Sequence, residues 1–300
     1  MIQVRTLINT LMTPQLRGIA CVLVAGFCLT LQDAVVKWLT GGYPVGEILA
    51  IRGSFAMIFA TFLVSRHGGL LALRLPHITG QIIRIACVVL GTFCFVTATK
   101  HLPLATTLTI TFAGPLIITA MAPYFLGELV GWRRWSAVVV GFAGVILIFR
   151  PGFGVIDWAM LLALTVAFTT AIRDVVTRRI AINSNAAGML FFVLLSVTLA
   201  GYATMSAEWR IPSPRDFGLF ALTGVMLGVA QLLMIVAFRY SEASLLAPFK
   251  YVGIVWATVL GFLIWGDLPG GWEIAGSALI IASGLYILHR ETRVRQRNPE

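Results

Sequence analysis

At 300 residues, 59% hydrophobic and only 11% charged, with a mean hydropathy of +0.93, the chain carries more apolar surface than a soluble domain can cover. Lipid is therefore the solvent for most of it, and the length suits ten short helices with tight connections and no separate soluble domain. The formal charge of +10 would point to nucleic acid in a soluble protein; here the basic residues sit in interhelix loops, where charge sets orientation, and nucleic acid is not an expected partner.

Ten apolar spans are predicted, at about 17–39, 45–65, 80–100, 104–126, 132–149, 156–177, 186–206, 216–238, 244–265 and 271–289. Residues 1–16 contain Arg5 but no small-residue cleavage site, so they read as a cytoplasmic tail and not as a removable signal peptide. Pro14 opens the first span and Gly41-Gly42 closes it; inside it lie Asp33, Lys37, Cys21 and Cys28. Span two holds Arg52, span three Cys87 and Cys94, and span four Thr111 and Phe112. Each cysteine pair is seven apart on one helical face at membrane depth, which reads as small buried apolar residues. Pro151-Gly152 ends the fifth span, and the sixth carries Arg173, Asp174 and Arg178. Pro212 and Pro214 precede the eighth, whose Gly224-x-x-x-Gly228 lets a neighbouring helix approach closely. Span nine contains Phe249, Lys250, Tyr251 and Trp256; Pro269-Gly270-Gly271 introduces the tenth, and residues 290–300 form a basic cytoplasmic tail. Tryptophans 132, 135, 158, 209, 265 and 272 cluster at span ends, as interfacial anchors do.

The chain also reads twice. At a shift of 139 to 141 residues (127 to 266, 33 to 174), Asp33-x-x-x-Lys37 falls on Asp174-x-x-x-Arg178, Gly127-Glu128 on Gly266-Asp267, and Trp132 on Trp272. Five spans per copy is an odd number, so the second copy enters the bilayer from the opposite side. The predicted fold is therefore an all-α membrane protein of ten transmembrane helices, arranged as inverted five-helix repeats over 17–149 and 156–289. With the amino terminus inside, fourteen Lys and Arg fall on the cytoplasmic side and five (Lys37, Lys100, Arg150, Arg210, Arg215) on the other. Both termini are expected in the cytoplasm.

Charges inside spans each cost on the order of 3 kcal/mol near a helix centre, so they want partners or a polar cavity. Asp33 and Arg52 lie at similar depth near the outer ends of their spans, where they can pair. Asp174 and Lys250 lie near the inner ends of theirs. Adjacent residues face different ways on a helix, so Asp174 is expected to use Arg178 at i+4 and not Arg173. The two spaced pairs, Asp33 with Lys37 and Asp174 with Arg178, obey the repeat and suit gates at opposite ends. Arg52 and Lys250 break it, their counterparts being about Val193 and Thr111. A substrate has no internal two-fold symmetry, so the repeat-breaking charges are the expected ligand contacts, beside Thr111, Phe112, Tyr251 and Trp256. The bland alternative is that these chains snorkel to headgroups and the rings merely pack. No His-Glu-x-x-His helix, nucleophile with a base, or paired carboxylates occurs, and the four histidines lack ligand spacing; neither an enzyme, a metal site nor a cofactor is expected. A homodimer is left open.

These residues resemble the EamA-like branch of the drug/metabolite transporter superfamily. The resemblance rests on Asp33-x-x-x-Lys37, Pro44…Glu47…Arg52, His101-Leu-Pro-Leu-Ala-Thr106, Phe112-x-x-Pro115-Leu116, Leu126-Gly-Glu128, Gly141-Phe-x-Gly144, Pro248-Phe-Lys-Tyr251 and Gly266-Asp267. It departs at Asp267, where the family often has Glu, and at Lys250, where close relatives usually have Arg. The resemblance implies a bacterial inner-membrane carrier of a small metabolite, with spans four and nine lining a central cavity. Members similar to this chain import riboflavin or S-adenosylmethionine, or export amino acids. With three lysines among 22 Lys and Arg, the chain has the bias of a GC-rich genome, and the five charges Asp33, Arg52, Arg173, Asp174 and Lys250 sum to +1, a poor match for a sulfonium. Riboflavin uptake is the leading expectation; amino-acid or metabolite export and S-adenosylmethionine uptake are the alternatives, and a membrane receptor is the alternative outside transport.

Overall fold

The computed structural model describes residues 14–66, 69–74, 76–125, 131–149, 157–180, 185–205, 208–240, 246 and 249–297. Its described elements are helices, apart from turns and one 3-10 segment, Gly69–Leu73. In chain order they are α1 (Pro14–Leu39), α2 (Val45–Arg66), α3 (Ile78–His101), α4a (Leu104–Thr111), α4b (Gly114–Phe125), α5 (Trp132–Phe149), α6 (Trp158–Ile180), α7 (Ala186–Ala203), α8 (Pro214–Tyr240), α9 (Val252–Trp265) and α10 (Gly271–Arg297). Taking α4a and α4b together, eight of these are long and apolar enough to cross a membrane; α9 and the apolar part of α10 are shorter. The predicted matches at Gly127-Glu128, Leu126, Arg150 and Pro248, and the side chain of Arg178, lie outside the described residues.

Apolar side chains face two ways. Ile58, Leu90, Val139, Leu199 and Leu263 are exposed on the rim, where only lipid can cover them. Inside, one core joins Ile110, Leu116, Ile117, Ala163, Ala167 and Ile280; another joins Val36, Leu39, Ile48, Leu49, Val197 and Phe220. The closest helix pairs are α1 with α8, α3 with α6, α2 with α7, and α5 with α10. Glycine permits some of these approaches. A Cβ on Gly144 would meet the Gly276 carbonyl at 2.8 Å, and one on Gly224 would lie 2.4 Å from the Arg52 carbonyl and 2.5 Å from Phe55. Gly224→Leu is thus expected to overpack the α2–α8 seam by about 1–3 kcal/mol. The check is the unfolding temperature of the purified variant in detergent; an unchanged value would mean the seam yields.

The fourth span departs from prediction. Expected as one helix over 104–126, it is broken at Phe112-Ala113. Pro115 has no N–H to give the Thr111 carbonyl, so the ladder tightens: the amide of Ala113 bonds Ile110 and that of Leu116 bonds Ala113, both at 3.0 Å.

Candidate functional site

Polar side chains collect in three places along the bundle. At one end, here the Tyr43 end, the two halves of the chain are tied together. Lys37 on α1 donates to the Leu102 carbonyl at 2.8 Å, approaches Asp267 at 3.4 Å, and lies 4.8 Å over the Trp265 ring. Tyr43 donates to Asp216 at 2.8 Å, while Ser213 bonds the same carboxylate. Burial and the Asp216 carboxylate push the Tyr43 hydroxyl above its ordinary range, so it stays a donor. Helical spacing predicts that Asp33, one turn away, serves Lys37. In the structure Lys37 reaches Asp267 instead, because its long stem extends toward the facing half.

Deeper in, Arg52 on α2 is 7% exposed and donates to Gln32 at 2.9 Å. Gln32, itself 3% exposed, donates through its other arm to Asp33. The expected Asp33–Arg52 pair is therefore relayed by an amide, although the two charges still act on each other. Gln32 was missed because a search for charges passes over neutral side chains; a glutamine in an apolar span was the available signal. Thr30, on the same face of α1 as Asp33, lies near Gly253, and so does the edge of the Phe112 ring. Phe112, at the break between α4a and α4b, stacks on Tyr251 with ring centroids 5.2 Å apart. Phe27 meets Trp256 edge-on at 5.2 Å. Each ring pair takes one member from each half of the chain. The Tyr251 hydroxyl is turned into α10, where a Cβ on Gly284 would lie 1.9 Å from it, so its ring is what it offers. The buried Trp256 indole N–H has no partner among the described residues. Thr111 bends its hydroxyl back to the Leu108 carbonyl at 2.7 Å.

At the opposite end, the Arg84 end, cations dominate. Arg173 grips Asp174 at 2.7 and 2.8 Å. This corrects the expectation that neighbours on a helix cannot pair: their side chains leave the helix about 100° apart, but an arginine side chain is long enough to curl back. Arg84, near the start of α3, donates to Thr177 at 3.2 Å and to the Met189 carbonyl at 3.1 Å. Lys250 is exposed here, in the fields of Asp174 and Arg173 and not of Arg52. Arg52 and Lys250, expected as joint ligands, thus belong to different clusters. A side recess of about 340 Å³ between α4a, α9 and α10 holds Glu273, whose carboxylate accepts from Thr106 at 3.0 Å and from the Gly270 amide at 2.7 Å. That is a helix cap, with its charge already engaged.

A helix broken at membrane depth beside buried charges and rings is the construction of a membrane transporter, and this chain is a multi-pass membrane protein whose family and named relatives are transporters. It belongs to the EamA-like transporter family, which matches residues 16–150 and again 157–288. Among its relatives are a riboflavin transporter of Rhizobium johnstonii, 27% identical over 94% of both chains, and an S-adenosylmethionine uptake transporter of Rickettsia felis, 24% identical over 97% of this chain and 99% of that one. The pseudopaline exporter CntI of Pseudomonas aeruginosa is 25% identical over 89% of this chain and 94% of its own. A solved crystal structure, 20% identical, shares the fold with a TM-score of 0.62 over 93% of this chain and 98% of that one.

Proposed function

We propose that the chain is an alternating-access carrier of a flat, acceptor-rich small metabolite, with riboflavin uptake across the bacterial inner membrane as the leading reading. Its ten transmembrane helices form two inverted repeats, 17–149 and 156–289, flanked by cytoplasmic tails at 1–16 and 290–300. Helix pairing supports a two-fold relation between the halves, which an odd number of spans per repeat would make an inversion. Advancing every helix by five turns α1–α8 into α6–α3 and α1–α9 into α6–α4, while α2–α7 and α5–α10 return to themselves. The positive-inside count favours the Tyr43 end as the outer one.

The observation that carries the reading is Arg52: a guanidinium sealed at membrane depth and bonded to a neutral amide, beside ring pairs drawn from both halves. A planar fork of donors recognises paired acceptors, and flanking rings hold a flat body between them. In this reading Arg52, Gln32, Thr111, Phe112, Tyr251 and Trp256 contact the cargo. Lys250 meets it at the inner mouth, and Asp33, Lys37, Asp174 and Arg178 govern the ends. Export of an anionic metabolite is the second reading, favoured by the cations Arg84, Arg173 and Lys250 at the Arg84 end. A sulfonium such as S-adenosylmethionine fits those cations worse.

The test is a thermal-shift screen of the purified protein against flavins, amino acids and nucleosides, followed by flux in proteoliposomes. Riboflavin is expected to raise the unfolding temperature and to enter the vesicles. Stabilisation without flux would favour a receptor; a response to amino acids alone would favour the exporter reading.

A further inference from the structure

Glu47 takes no part in the proposed cargo site, yet 0% of the residue is exposed to solvent. It stands in the first turn of α2 at the Tyr43 end. One oxygen, Oε2, accepts the backbone amide of Arg210 at 3.2 Å, in the connection between α7 and α8. The other, Oε1, is buried and has no hydrogen-bond partner among the described residues. An ionised carboxylate sealed in this way would face one amide and a single cation. A carboxylic acid, with its proton on the oxygen left bare, avoids most of that desolvation cost.

Few groups among the described residues act on it. On the α7–α8 connection there is Arg210, whose guanidinium is exposed to solvent; before α2 there is Tyr43, committed to Asp216. Asp216 and Arg215 on α8 act at one remove, through the Tyr43 hydroxyl. On α7, Tyr202 bonds Ser54 instead. The ties at this end, Glu47 to Arg210 included, join the first half of the chain to the second.

We infer that Glu47 is a proton-binding site that latches the Tyr43 end: it carries its proton while the stretch around Arg210 (208–213) closes over it, and ionises when that stretch lifts. Opening breaks the Arg210 N–H bond to Oε2, admits water, and releases one proton to that side; closing takes one up. The carrier's opening at this end is then favoured by alkaline conditions and opposed by acid, whatever the cargo.

Spin labels at Gly42 and Ile211, both exposed and on opposite sides of the latch, read the opening as a distance by pulsed electron paramagnetic resonance in lipid nanodiscs. The distance is expected to lengthen from acidic to alkaline buffer, and the infrared carbonyl band of a protonated carboxylic acid to fade over the same range. Glu47→Gln, which cannot ionise, is expected to hold the short distance throughout and to lack the band. Glu47→Asp keeps a carboxyl and is expected to keep the response, so a Gln variant that merely misfolds is recognised. A pH-independent distance in the unsubstituted protein, or a full response in Glu47→Gln, would overturn the assignment. Neither readout uses a transported substrate, so the result is separate from the fate of the riboflavin reading.

Discussion

Replacing Arg52 with alanine is expected to abolish transport while leaving the protein folded. The guanidinium is 7% exposed and bonds Gln32, which in turn holds Asp33. Removing it strands an amide and a carboxylate at membrane depth and takes away the donor fork proposed for the cargo. Truncating one member of a buried charged network costs about 2–5 kcal/mol, so a loss of cargo affinity of roughly 30-fold or more is expected. Arg52→Lys keeps the charge without the fork and should retain only part of the activity. Flux in proteoliposomes, beside the unfolding temperature of each variant, decides the matter. Normal flux in Arg52→Ala would make the arginine a packing element; a collapse of thermal stability equal in both variants would make it purely structural.

The second large effect is at the Tyr43 end. Lys37 joins the halves through Asp267 and the Trp265 ring, and is held in place by the Leu102 carbonyl of its own half. An ion pair at a half-open site contributes about 0.2–1 kcal/mol and a cation over an indole about 0.5–1. Together these correspond to a shift of roughly three- to thirty-fold in the balance between closed and open. Lys37→Ala is therefore expected to speed labelling of a cysteine placed at Thr111, from the Tyr43 side only. The exchange Lys37→Asp with Asp267→Lys should slow it again. If the single change leaves labelling as it was, the pair holds nothing closed.

Hydropathy placed the helices because lipid imposes one rule on every span: the ends fall where polar residues, Pro and Gly resume. That rule says nothing about continuity within a span. The apolar run of the fourth span hides a missing N–H: Pro115 is plain in the sequence, but its effect on the Thr111 carbonyl depends on the helical register around it. Side-chain partners were legible only where they were local. Lys37 with Asp33 obeyed helical spacing, yet the partner it found was Asp267, 230 residues on, which depends on how two halves face each other. Arg173 was misjudged through its backbone direction when its reach decided the matter. The proposed cargo contacts Arg52 and Lys250 came from the broken symmetry of the repeat, while depth along the spans already set Lys250 with Asp174, the group whose field it feels in the structure.

The joint in the fourth helix has a bearing on evolution. Phe112 is both the stacking partner of Tyr251 and the first residue of the interruption between α4a and α4b. In the proposed site, a substitution there that changes what the cargo meets also alters the torsional stiffness of a rod crossing the bilayer. On that proposal, selectivity and turnover are inherited together at one codon. A lineage adapting to a new compound through this residue changes its working speed in the same step, and restoring that speed falls to sites elsewhere along the rod.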